Sequence, residues 1–154
     1  MFLTCAFLDE ARQLHLKARS RPRHWGDCYR ACLASILELP AAEVPHFIEV
    51  RRCAPEWRDD ERDWLRARGL EAIVVTLKTP LPEILGFFGA ANPGVHYIVA
   101  GIGHNGVPHA VVACGNRIVH DPAGVGIAES IEGQHVLTLV GHHSRPSPDV
   151  KPRP

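Results

Sequence analysis

Apolar positions along this chain change period partway, and the change predicts its elements. From residue 28 to 38, Cys32, Leu33, Ile36 and Leu37 fall at three- and four-residue steps, Asp27 stands at an N-cap position, and Pro40 ends the run. That spacing predicts a helix over 28 to 38. A short second helix is expected over 41 to 47, and a longer one over 55 to 68, where Trp57, Trp64 and Leu65 make an apolar seam among Arg, Asp and Glu and Gly69 supplies the stop. Leu70 to Leu77 is rich in Ile, Val and Thr and predicts a strand, and Pro82 to Phe88 predicts another short helix.

After Pro93 the pattern shifts to Val95 to Gly101, Ala110 to Cys114, Arg117 to His120 and His135 to Val140, separated by Gly, Asn and Pro. These read as strands joined by turns, with Gly115-Asn116 closing a hairpin. A helical front half and an antiparallel back half describe an α+β domain over residues 1 to 143, with the helix at 28 packed on the C-terminal sheet and the cleft at that junction. Residues 144 to 154 read as a disordered Pro-rich tail, because proline denies it ladder hydrogen bonds and Val150 is its one apolar residue.

Composition narrows the class. At 154 residues and 45% hydrophobic content the chain is the size of one domain with its own core. Basic and acidic residues are equal at 17 each, so no net field draws nucleic acid or an anionic membrane, and neither is expected as a partner. The five cysteines, at 5, 28, 32, 53 and 114, are odd in number and irregular in spacing, which favours reduced thiols in the cytoplasm over a secreted disulfide framework. The N-terminus turns acidic at Asp9 and Glu10, too early for a secretory segment or a membrane span.

The candidate chemistry lies in Gly26-Asp27-Cys28-Tyr29-Arg30-Ala31-Cys32-Leu33-Ala34-Ser35, in Pro108-His109-Ala110-Val111-Val112 and in His120-Asp121-Pro122. Cys28 sits in the first turn of the expected helix, where free backbone N–H groups and the helix dipole favour a thiolate. His109 falls on a strand, and the hairpin returns Asp121 toward the far nitrogen of its ring, where a carboxylate fixes tautomer and direction. Taken singly, each residue has a plain reading: Cys28 and His109 as buried packing, Asp121 before Pro122 as a turn former. Together they read as nucleophile, base and orienting acid.

The wording of these segments resembles the papain-like cysteine peptidase superfamily, and within it the bacteriocin-leader peptidase-like branch. Asp27-Cys28, Ala31 and Leu33-Ala34-Ser35 match its nucleophile helix, and His109, Val111-Val112 and Asp121-Pro122 match its base and acid segments. The longer strings GDCYRACLASILELPAAEVPHF and PHAVVACGNRIVHDPAG look like a group of small uncharacterised phage and bacterial proteins; the likeness covers roughly residues 24 to 48 and 95 to 128. The resemblance implies a papain-like fold and a cysteine peptidase or amidase, with Cys28 attacking a peptide or amide carbonyl to give a thioester. It also implies a Gln shortly upstream of the cysteine as an oxyanion donor, worth about 3 kcal/mol in the transition state. Here Ser20-Arg21-Pro22 occupy that region and the nearest upstream Gln is Gln13, so Arg23, His24, Trp25, Gly26 and Asp27 become the candidates to complete the oxyanion and substrate site. His104, in the Gly-rich loop before the histidine strand, is a candidate for the cleft border.

Three readings follow. The first is a hydrolase acting on a peptide, protein or small amide; the second is acyl transfer of transglutaminase type by the same triad. The third is a catalytically impaired interaction module that binds a peptide or protein partner. A metal site competes weakly, since Cys28 and Cys32 lie one turn apart with no second close pair to complete a zinc spacing, so no metal or other cofactor is expected. His120 alternates out of phase with Asp121 and is not placed in the triad.

Overall fold

A computed structural model describes residues 27–50, 56–128 and 133–141. Helix α1 is Cys28–Leu37, and eight of its ten residues are buried, so it is a central helix rather than an amphipathic surface one. It stops where Glu38 takes a left-handed conformation at φ 54°, with the Leu39 N–H closing onto Ala34 O at 2.9 Å before Pro40. The expected side-chain cap is absent: Asp27 makes no capping hydrogen bond, and its carboxylate is buried 3.9 Å from Arg30 Nη1. The single helix expected over 41 to 47 is instead a 3₁₀ turn at Ala41–Glu43 followed by the short helix α2, Phe47–Val50. Pro45 explains the break, since the residue before a proline is driven out of helical geometry and Val44 is extended at ψ 124°.

Helix α3, Trp57–Arg66, places Leu65 wholly inside, with Trp57 and Trp64 packed against the core that α1 organises. Gly69, at φ 71°, makes the turn that a side chain would oppose, and the chain enters β1, Leu70–Leu77. Helix α4 runs from Leu81 to Ala91, longer than its apolar run predicts, with Pro82 in the first turn. Strands β2 (His96–Ile102), β3 (Pro108–Cys114), β4 (Arg117–His120) and β5 (Gln134–Gly141) follow.

The protein is α+β, and its described residues form a five-stranded antiparallel sheet in the order β1-β5-β2-β3-β4. β1 comes from the helical half of the chain yet closes one edge of the sheet, pairing with β5 from Leu70↔Gly141 to Leu77↔Gln134. Alternation sends Ile98, Ala110, Val112 and Leu137 to the face covered by α1, and Tyr97, Val99, Val111, Ala113 and Val136 to the face covered by α4. The β3–β4 hairpin turns at Gly115-Asn116, as expected, with Gly115 at φ 59° and the Tyr97 hydroxyl donating to its carbonyl at 2.8 Å.

α4 passes close to that turn. A Cβ on Gly89 would lie 2.6 Å from Asn116 N and from the Gly115 carbonyl carbon, both backbone atoms that cannot swing aside. Gly89→Ala is therefore expected to cost about 1–3 kcal/mol through displacement of α4, despite alanine's better helix propensity. A urea midpoint no lower than that of the parent would contradict this packing.

Among the described residues Cys28 and Cys32 are free thiols, whereas Cys114 at the end of β3 is disulfide-bonded. The expectation of uniformly reduced cysteines does not hold for Cys114. The residue 1 to 26 segment, Cys53, His142-His143 and the tail from 144 lie outside the described residues.

Candidate active site

Cys28 opens α1 and is buried against β3, so its sulfur lies at the junction where the cleft was expected. Burial pushes the Cys28 thiol up from its ordinary range, and the Asp27 carboxylate adds to that; the backbone N–H groups of Ala110, Tyr29 and Cys28 itself pull the other way. The net direction is upward. This corrects the expectation that a helix start makes Cys28 a thiolate: the dipole is present, but removing the sulfur from water costs the anion more. One turn on, burial holds the Cys32 thiol well above its ordinary range, with the Cys28 and Asp121 charges adding to the effect, and Cys32 is a core residue.

The Ala110 N–H that faces Cys28 belongs to the chain neighbour of His109. His109 is itself buried, and its Nε2 lies 2.7 Å from Asp121 Oδ1. A carboxylate at that distance selects the tautomer with hydrogen on Nε2, which leaves Nδ1 as the ring's acceptor. No hydrogen bond or ion pair joins Cys28 to His109 among the described residues; Ala110, whose N–H reaches the Cys28 sulfur, is in the strand phase that faces α1, whereas His109 shares the phase of Val111 and Ala113.

Asp121 follows β4 directly and is held by its own loop. Its Oδ1 accepts the N–H groups of Ala123 at 3.1 Å and Gly124 at 2.8 Å, and its Oδ2 accepts that of Gly126 at 2.7 Å. Gly124 and Gly126 have φ of 66° and 67°, which lets the loop curl its amides onto the carboxylate. His104, exposed, rests on the outside of the same loop: a Cβ on Gly126 would lie 2.8 Å from His104 Cδ2. The loop therefore borders the site, and His104 packs against it.

Burial pushes the Asp121 carboxyl up, but the Gly126 N–H, the His109 imidazole and the Gly124 N–H outweigh it, so the group ends below its ordinary value of 3.8. The folded state therefore prefers the carboxylate. Its contribution to stability is present above the unfolded value and is lost as pH falls through the depressed folded one. Asp121→Asn is expected to flatten the acid limb of a stability curve measured by urea unfolding between about pH 5 and about pH 2.5. An unaltered acid limb would mean that the carboxylate contributes nothing through its charge.

A second buried polar cluster stands behind the nucleophile and was not found from sequence. The Tyr29 hydroxyl donates to Glu61 Oε1, Glu61 Oε2 is 3.6 Å from Arg58 Nη1, and Tyr29 meets Trp57 edge-on with centroids 5.5 Å apart. Glu61 is only 2% exposed. Its signal was its phase, since position 61 shares the stripe of 57, 64 and 65. The cluster ties α3 to the residue after Cys28.

Of the other candidates, Arg23, His24, Trp25 and Gly26 lie outside the described residues, and Asp27 is buried beside Arg30. His120 is buried at the end of β4, while the next residue makes the contact to His109. Among the described residues no group of three His, Cys, Asp or Glu side chains is placed to hold a metal ion, and no single helix is long and apolar enough to cross a membrane. The chain matches no family model, no curated protein and no solved structure.

Proposed function

We infer that the protein is a papain-like cysteine hydrolase, a peptidase or amidase, with Cys28 as nucleophile, His109 as base and Asp121 as the orienting acid. The observation that carries this reading is the His109–Asp121 contact at 2.7 Å on the residue beside Ala110, whose N–H faces the Cys28 sulfur. It leaves one ring nitrogen, Nδ1, free of the carboxylate, on the residue that precedes Ala110.

Because Cys28 rests as a thiol, proton removal belongs to the attack itself. As the Cys28 Sγ–carbon bond forms at a peptide or amide carbonyl, the thiol proton passes to His109 Nδ1, and the imidazolium returns it to the amine as the C–N bond breaks. Water then attacks the thioester, giving up a proton to His109, and the carboxylic acid leaves as the thiol is restored. The backbone N–H of Cys28, at the start of α1, is a donor for the oxyanion. An amine in place of water would make the same intermediate an acyl donor. The chemistry needs Cys28 as a free thiol, and Cys28 is one.

The reading is tested by exposing the protein to a panel of short peptide esters and following intact mass. A transient acyl adduct on Cys28, absent from Cys28→Ser together with turnover, is the expected result. Ester turnover that survives Cys28→Ser would overturn the assignment. The upward push on the Cys28 thiol favours one second reading, an interaction module that binds a peptide without cleaving it; peptide binding by the parent with no adduct on Cys28 would select it.

A further inference from the structure

Among the described residues the two edges of the sheet are built differently. β4 is four residues long, begins with the exposed Arg117, and meets β3 through a register shift at Val112/Ala113. Shortness, charge and a bulge are the devices that keep an edge from pairing with another chain. β1 has none of them: it is eight residues long, regular against β5 throughout, and has no charged residue between Ala72 and Leu77. Its one charge, Glu71, is taken by Arg66 at 2.8 Å.

Exposure along β1 indicates the shape of what it lacks. Ile73, Val74 and Val75 are 52%, 39% and 40% exposed, and Thr76 is exposed as well. Consecutive residues of a strand point to opposite faces, so a helix or sheet laid on one face would bury only alternate members of this run. A strand placed alongside covers the flanks of all four.

We propose that β1 is a homodimerisation edge: the β1 strands of two copies pair antiparallel about a twofold axis perpendicular to the sheet and make one continuous sheet. The strand is complementary to itself. In the register centred on Val74, Ile73 faces the partner copy's Val75 in both directions and Ala72 faces Thr76, pairing β-branched residues with no like charges opposed. The assembly closes at two copies, because its outer edges are then the guarded β4 strands. A strand pair of this length buries less than the roughly 1,600 Å² of a standard interface, so the dimer is weak and dissociates on dilution into the micromolar range or above it.

The test is sedimentation equilibrium of the full chain from about 1 to about 500 µM, with Ile73→Lys and Val75→Lys as variants and circular dichroism to check folding. The parent is expected to pass from monomer to dimer across that range, with the midpoint at least about tenfold higher in each variant. Hydrogen exchange on the parent keeps the test decisive if a lysine variant misfolds: β1 amides should be more protected in the concentrated than in the dilute sample. A parent that stays monomeric throughout overturns the proposal, as does a dimer whose β1 amides exchange at the monomer rate. Cys28 reactivity is expected to be the same in folded variants, since β1 lies at the opposite edge of the sheet from the β3–β4 side that carries His109 and Asp121.

Discussion

His109→Ala is expected to slow iodoacetamide alkylation of Cys28 at neutral pH by about a hundredfold, the low end of what a positioned general base contributes. The resting thiol is raised by burial, so little thiolate is present to react on its own. Something must accept the proton during attack. Asp121 occupies Nε2 of His109 at 2.7 Å, which leaves Nδ1 for that task. Without the ring, residual alkylation should climb with pH through and beyond the ordinary thiol range, as an unassisted buried thiol requires. Peptide mass spectrometry resolves Cys28 from Cys32, which is wholly buried and should react in neither protein. Equal rates for Cys28 in parent and variant would remove the base from the mechanism and with it the hydrolase reading.

Glu61→Ala should destabilise the fold by about 2–4 kcal/mol, combining a lost buried acceptor with the cavity left by the side chain. Tyr29 is buried and its hydroxyl has Glu61 as its acceptor, so removing the carboxyl strands a donor in the core and unties α3 from the start of α1. Glu61→Gln keeps an acceptor oxygen for Tyr29 and should retain most of the stability. The two variants also separate hydrogen bonding from charge. Burial pushes the Glu61 carboxyl above its ordinary 4.5, against the opposing pull of the Tyr29 hydroxyl and Arg58. A raised acid binds its proton more tightly when folded. Its contribution is thus full below the unfolded value and is lost as pH rises through the folded one. Between about pH 4 and about pH 7 Glu61 should therefore contribute a falling component to the urea midpoint, and the midpoint of Glu61→Gln should fall less, or rise more, than that of the parent. A slope shared by both would assign the pH dependence to other groups.

Local pattern alone was enough to place α1, α3 and β1 and the β3–β4 hairpin. Helical spacing, β-branched runs and the Gly115-Asn116 turn act over a few residues, and those forces are written in neighbouring letters. The break at Pro45 is also local, but the apolar spacing across 41 to 47 masks a proline that forbids one continuous helix. The Asp27 cap failed for a different reason: a residue suited to capping was drawn into the interior beside Arg30.

Read by itself, the sequence determined an α+β chain in which Cys28 begins a helix, His109 lies on a strand and Asp121 follows a hairpin. Residue type and local position also raise the expectation of nucleophile, base and acid in that order. Tertiary structure alone decided that Asp121 meets Nε2 of His109, that burial defeats the helix dipole at Cys28, and that Glu61 bonds Tyr29 inside the core. It also decided that β1 crosses the molecule to become an exposed edge. The reason is common to all four: desolvation, long-range pairing and edge position depend on which distant segments exclude water from a group, and no local window of sequence contains that information.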